Sequence, residues 1–129
     1  MKVGSYEIEI PEDWILQKSE SITSIFTPNG FGVVQISSFL LPNDYDLNLF
    51  DELYDFASEY VTALKQYKKL KKINYGLLLD EIIENNRTWL FAILNKKHSI
   101  LLVTYNSLGV DFHKEHCTAL AIINSITFL

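Results

Sequence analysis

Arg87-Thr88-Trp89-Leu90-Phe91-Ala92-Ile93-Leu94-Asn95 and, after Lys96-Lys97-His98, Ser99-Ile100-Leu101-Leu102-Val103-Thr104-Tyr105-Asn106 are the residues on which the fold turns. Both runs are rich in β-branched and aromatic residues and are joined by a short polar turn, which predicts two antiparallel strands. Side chains alternate between the two sides of a strand, and here neither side is polar. Trp89, Phe91 and Ile93 oppose Leu90, Ala92 and Leu94; Ile100 and Leu102 oppose Leu101, Val103 and Tyr105. A strand that is apolar on both faces must be covered on both faces.

The covers are legible on either side of this pair. Upstream, Phe50, Leu53, Tyr54, Ala57, Tyr60, Val61, Leu64 and Tyr67 recur every three or four residues, predicting an amphipathic helix over 48–68 with Asn48 as N-cap. Downstream, His116, Ala119, Leu120, Ile123 and Ile126 predict a second helix over 112–127, with Asp111 as N-cap. Residues 74–84 supply a third strand of the meander, turning at Asn85-Asn86. Before the first helix, residues 6–10, 21–27 and 31–41 read as strands, with Pro28-Asn29-Gly30 as a turn between the last two. The expected fold is α+β: a three-layer α/β/α sandwich on a mainly antiparallel six-stranded sheet, in the order β-β-β-α-β-β-β-α, as one domain over 1–129.

Composition bounds the function. A 129-residue chain with 48% hydrophobic and 21% charged residues can bury a core and is not disordered. Its formal charge of −5 argues against nucleic acid, whose phosphates require an excess of Lys and Arg on one face. No apolar run approaches the roughly 20 residues of a membrane helix, and residues 1–10 lack the apolar core of a secretory signal. Cys117 is alone, so no intrachain disulfide can form. A cytoplasmic protein is expected.

Candidate chemistry is sparse. His113, His116 and Cys117 have the i, i+3, i+4 spacing of metal ligands, but no fourth ligand is evident and Cys117 reads more simply as a small core residue; no metal and no cofactor are expected. Asp80, Glu81 and Glu84 read as the solvated end of a strand, with Asp80 and Glu84 sharing a face. Lys65, Lys68, Lys69, Lys71 and Lys72 suit a helix C-terminus. Tyr45, between Asp44 and Asp46 in the loop entering the first helix, is the candidate partner-binding site, against the alternative of a Tyr folded back over the helix start.

Tyr6-Glu7-Ile8-Glu9-Ile10-Pro11-Glu12-Asp13-Trp14, the hairpin, the long middle helix, the meander and the closing Ile123-Asn124-Ser125-Ile126-Thr127-Phe128 together resemble PsbP/Mog1-like domains, including the bacterial DcrB-like families. The resemblance implies an α/β/α sandwich and a role among assembly factors, chaperones and binding proteins. That family shares no catalytic motif, so no residue role carries over, and many bacterial members have no known function. The expectation is a non-enzymatic protein-binding domain of chaperone or adaptor type. The alternatives are an acidic immunity protein that neutralises a toxin, or a small-ligand carrier or enzyme whose site assembles only in three dimensions. A homodimer is compatible with this reading, formed through a sheet face or helix because Glu7, Glu9 and Pro11 discourage pairing along residues 6–10.

Overall fold

A computed structural model of the chain describes residues 1–43, 45–62, 70–108 and 113–129. Among these, the elements in order are β1 (Lys2–Val3), β2 (Tyr6–Glu7), β3 (Ile15–Ser19), β4 (Ile22–Phe26), β5 (Gly32–Leu40), α1 (Leu49–Ser58), β6 (Leu70–Ile73), β7 (Gly76–Glu84), β8 (Arg87–Lys96), β9 (Ser99–Leu108), α2 (His113–Asn124) and β10 (Thr127–Phe128). The main sheet has seven strands in the order β3-β4-β5-β9-β8-β7-β6, and all its pairings are antiparallel. A separate three-stranded sheet, β1-β2-β10, joins the two ends of the chain.

The two-faced strands take the central place their sequence demands. Leu90, Ala92, Leu94, Leu101, Val103 and Tyr105 face one core, with Ala119, Ile122, Ile123 and Ile126 from α2 and just beyond it. Phe91, Ile93 and Ile100 face another, with Leu53, Ala57 and Val61 from α1 and the residues after it. Alternate residues of a single strand thus enter opposite cores, so the two helices cover opposite faces. The small sheet widens the α2 layer by adding Val3, Tyr6 and Phe128 to its core.

Local signals explain most boundaries. Asn48 caps α1 by accepting from the Asp51 backbone N–H at 3.1 Å. Gly30 N–H closes the 27–30 turn on Thr27 O at 2.9 Å. Asn85 and Asn86 both take positive φ, as a two-residue hairpin turn with the twist of its strands requires.

Several expectations need correction. The main sheet has seven strands rather than six, because β3 and β6 extend it at its edges. Both edge strands are short and largely exposed, so their sequences carry no strong alternation. Lys71 and Lys72 lie on β6, where they blunt a sheet edge, rather than at a helix end; Lys65, Lys68 and Lys69 lie outside the described residues. Helix α1 ends at Ser58 instead of reaching 68, with 63–69 outside the described residues, as is Asp111, the expected cap of α2. Residues 6–10 do not form a main-sheet strand: only Tyr6–Glu7 pair, between β1 and β10, so both edges of β2 are occupied. Phe31, just before β5, is 52% exposed.

Burial sets the expected cost of substitution. Phe91 is fully buried, whereas Leu40 is 82% exposed. Urea unfolding is expected to show Phe91→Ala destabilising by about 3–5 kcal/mol, and Leu40→Ala changing stability by no more than about 0.5 kcal/mol.

Candidate functional site

Two acidic side chains are drawn beneath α2, and both are fixed by the sheet. The first is Asp80, only 3% exposed. Strand β7 carries a β-bulge between Leu79 and Ile82, where Glu81 takes φ +51°. The extra residue returns Ile82 to the α1 core while Asp80 stays on the α2 side, so it reverses the parity of everything after it. Asp80 Oδ1 stands 2.6 Å from His116 Nε2 on α2, and Lys71 Nζ lies 3.3 Å from Oδ2. Burial alone would raise the Asp80 carboxyl, but hydrogen bonding and charge from His116, then Lys71, outweigh it and hold the group below its ordinary value.

Glu115, the residue before His116, is the second. It is 9% exposed and accepts from Gly32 N–H at 2.7 Å, Phe31 N–H at 2.8 Å and the Tyr105 hydroxyl at 2.8 Å. Gly30 permits this approach of turn and helix, and Gly32 lets β5 lie close against β9. A Cβ on Gly32 would fall 1.9 Å from the Asn106 carbonyl oxygen, and one on Gly30 would fall 2.5 Å from Glu115 Oε2. Burial, reinforced by the Glu115 carboxylate, holds the Tyr105 phenol well above its ordinary range, so it acts as a donor. The Tyr105 ring also meets the His116 ring edge-on at 6.0 Å, which joins the two acids into one polar layer.

Over Glu115 opens a cleft of about 450 Å³. Its walls come from the loop before β3, with Asp13 and Trp14, from the turn ending at Phe31, and from Lys114 and Thr118 on α2.

The other face is built differently. Helix α1 carries Asp51, Glu52, Asp55 and Glu59, with no basic residue in its last turn. Beside it a groove of about 320 Å³ is lined by Phe39, Phe56 and Tyr60 together with Glu52, Asp55 and Glu59. Phe56 and Tyr60 continue into the sheet aromatics, with Tyr60 5.4 Å from Trp89 and Phe56 6.1 Å from Phe91 between ring centroids.

The residues singled out from sequence are distributed unevenly over these places. Tyr45 is exposed, but its hydroxyl donates to Glu52 Oε1, so it folds back over the start of α1; the Glu52 bond and charge push the phenol up. Asp46 is exposed beside it, and Asp44 lies outside the described residues. Asp80 is buried, not solvated, and the bulge separates it from Glu84, which turns to the α1 side and accepts from Thr62 N–H at 3.0 Å. Cys117 is exposed, not a core residue, and so points away from buried His116; the side chain of His113 lies outside the described residues. Among the described residues, no three or more His, Cys, Asp or Glu side chains gather as metal ligands would. Sequence reading missed the Asp80–His116 pair and the Glu115 cradle. Helical spacing did place His116 on the apolar stripe, and a histidine there signals a buried polar partner.

No protein-family model matches the sequence, and no curated protein does. Solved structures do. The solution structure of cyanobacterial PsbP (CyanoP) from Synechocystis sp. PCC 6803 superposes with a TM-score of 0.62 at 10% identity, over 99% of this chain and 95% of that one. A crystal structure from Bacteroides thetaiotaomicron VPI-5482 gives a TM-score of 0.62 at 15% identity over 96% of this chain, which spans 45% of that protein's length. The chain therefore has a PsbP-like fold, as its sequence pattern suggested. No helix among the described residues is long and apolar enough to cross a membrane.

The lowered Asp80 carboxyl makes stability depend on pH with a definite sign. Its contribution is present above the ordinary carboxylate value of about 4 and is lost as pH falls through the lower folded value. Asp80→Asn is expected to cost about 3 kcal/mol near neutrality. In urea unfolding measured against pH, the gap between wild type and Asp80→Asn should narrow as pH falls below about 4. A gap of constant size would show that Asp80 does not titrate with folding.

Proposed function

We propose that this is a cytoplasmic, non-enzymatic protein-binding domain, and that the groove along α1 receives a cationic, apolar-anchored segment of its partner. The observation that carries the reading is the charge pattern of α1. Asp51, Asp55 and Glu59 repeat at four-residue spacing, where like charges repel, and Glu59 is the C-cap, where the exposed carbonyls already present partial negative charge. Folding alone would favour a cation in that last turn. The arrangement concentrates negative potential instead, beside Phe39 and Tyr60, which are 47% and 46% exposed. Among the described residues neither Asp55 nor Glu59 has an ion-pair partner.

A Lys- or Arg-bearing segment would relieve this potential at the rim while an apolar side chain enters among the rings, the usual division between polar rim and aromatic centre. The groove takes a side chain or two rather than a whole domain. The opposite face spends its acids internally: Asp80 and Glu115 hold α2 to the sheet, a structural use that supports the non-catalytic reading. An inhibitor of a basic enzyme, such as an immunity protein, would use the same α1 surface and the same physics.

The test is titration of a synthetic amphipathic peptide of lysine and leucine into isotope-labelled protein. Shift changes should gather at Phe39, Asp55, Phe56, Glu59 and Tyr60, and affinity should fall as salt rises. The double variant Asp55→Lys/Glu59→Lys should bind at least about tenfold more weakly. Glu59→Lys alone should raise stability by about 0.3–1 kcal/mol by complementing the helix end. Unchanged affinity in the double variant, or shifts confined to α2, would overturn the proposal.

A further inference from the structure

The cleft over Glu115 is separate from the α1 groove and lies on the opposite side of the sheet. Its volume of about 450 Å³ is within the range of small-molecule sites, about 300–1,000 Å³. It also has a built floor. Glu115 is more than nine-tenths buried and is held from three directions, with the Gly32 N–H and Tyr105 hydroxyl on Oε1 and the Phe31 N–H on Oε2. An ionised carboxylate can accept about four hydrogen bonds. Among the described residues Oε2 receives one, so acceptor capacity remains on that oxygen of Glu115, a residue that lines the cleft.

The walls add charge of both signs. Asp13 and Lys114 both line the cleft, and among the described residues neither is ion-paired. Two acids alone would suit a simple amine, and a lysine alone a simple anion. Both together with half-exposed Phe31 suit a ligand that carries an ammonium, a carboxylate and an apolar group. We infer that the cleft formed by the loop before β3, the turn ending at Phe31 and the start of α2 binds a free α-amino acid with an apolar or aromatic side chain. The ammonium is recognised by Glu115 Oε2 and Asp13, the carboxylate by Lys114, and the side chain by Phe31, with Trp14 in the cleft wall behind it. A preformed carboxylate floor lowers the ordering cost of binding, because Glu115 is already fixed by backbone donors. The ring of Phe31 can also face the ammonium favourably.

Calorimetric titration of the full chain with L-phenylalanine tests this, alongside phenethylamine, which lacks the carboxylate, and 3-phenylpropionate, which lacks the amine. L-Phenylalanine should bind with a Kd below about 1 mM, and each half-molecule at least about tenfold more weakly. Lys114→Ala should bring L-phenylalanine down to the affinity of phenethylamine while leaving phenethylamine itself unchanged. Asp13→Asn should weaken both amine-bearing ligands and leave 3-phenylpropionate unchanged. Both side chains are exposed, so circular-dichroism melts should confirm that the two variants fold. Absence of saturable binding at about 10 mM L-phenylalanine, equal affinity for the half-molecules, or an unaffected Lys114→Ala variant would each overturn the inference. Peptide binding at α1 stands or falls independently of it.

Discussion

Everything in this molecule follows from two strands that cannot present either face to water. With Leu90, Ala92, Leu94, Leu101 and Val103 on one side and Phe91, Ile93 and Ile100 on the other, all essentially removed from solvent, β8 and β9 need two covers. The chain supplies them from its middle and from its end. The second cover is broader than one helix, because the two termini pair into a small sheet beside α2 and contribute Tyr6 and Phe128 to the same core. At roughly 25 cal/mol per Å² of apolar surface, this double burial is the dominant favourable term, and each face is worth many polar contacts.

What hydrophobic burial cannot do is fix where a helix sits along the sheet, since it is non-directional. The directional work on the α2 side is done by two carboxylates. Asp80 reaches from a bulge on β7 to His116, and Glu115 reaches from α2 to two backbone N–H groups at the start of β5. Because β7 and β5 lie on opposite sides of the β9-β8 pair, these contacts pin the helix from two directions. A shift of α2 by one turn would leave two buried acids unsatisfied, which costs far more than an equal loss of apolar contact. The bulge turns the residues after Asp80 back to the α1 core, and at position 30 a Cβ would crowd Glu115 Oε2.

The parts of this structure visible in the sequence are those governed by periodicity. The alternation of β8 and β9, the stripe of α1 through Leu53 and Ala57, the Asn48 cap and the Pro28-Asn29-Gly30 turn all act within a few residues of themselves. Edge strands such as Leu70–Ile73 escape, because a strand that packs little on either face shows no apolar alternation, and its lysines look as natural at a helix end. The bulge escapes for a different reason: Asp80-Glu81 reads as ordinary alternation, and only the partner strand's register reveals the extra residue. The polar contacts were invisible because Asp80 and His116 are 36 positions apart, and Phe31 and Glu115 84 apart. No spacing rule connects such residues until the sheet has brought β7, β5 and α2 together.

The two faces therefore use the same residue type in opposite ways. On the α2 side the buried acids Asp80 and Glu115 have donors supplied by the protein, and they hold the helix to the sheet. On the α1 side Asp55 and Glu59 are left in water at the negative end of a ten-residue helix, with no cation in the last turn to offset them. An acid at such a position lowers helix stability by a few tenths of a kcal/mol to about 1 kcal/mol. A chain that satisfies buried acids so fully elsewhere has ample chemistry to avoid this, since Lys or Gln would serve the helix equally well. Local rules broken without an internal compensation are expected where a surface is shaped by something outside the fold. Among the described residues that condition is met along α1, next to exposed aromatic rings, and the physics there asks for a positive partner.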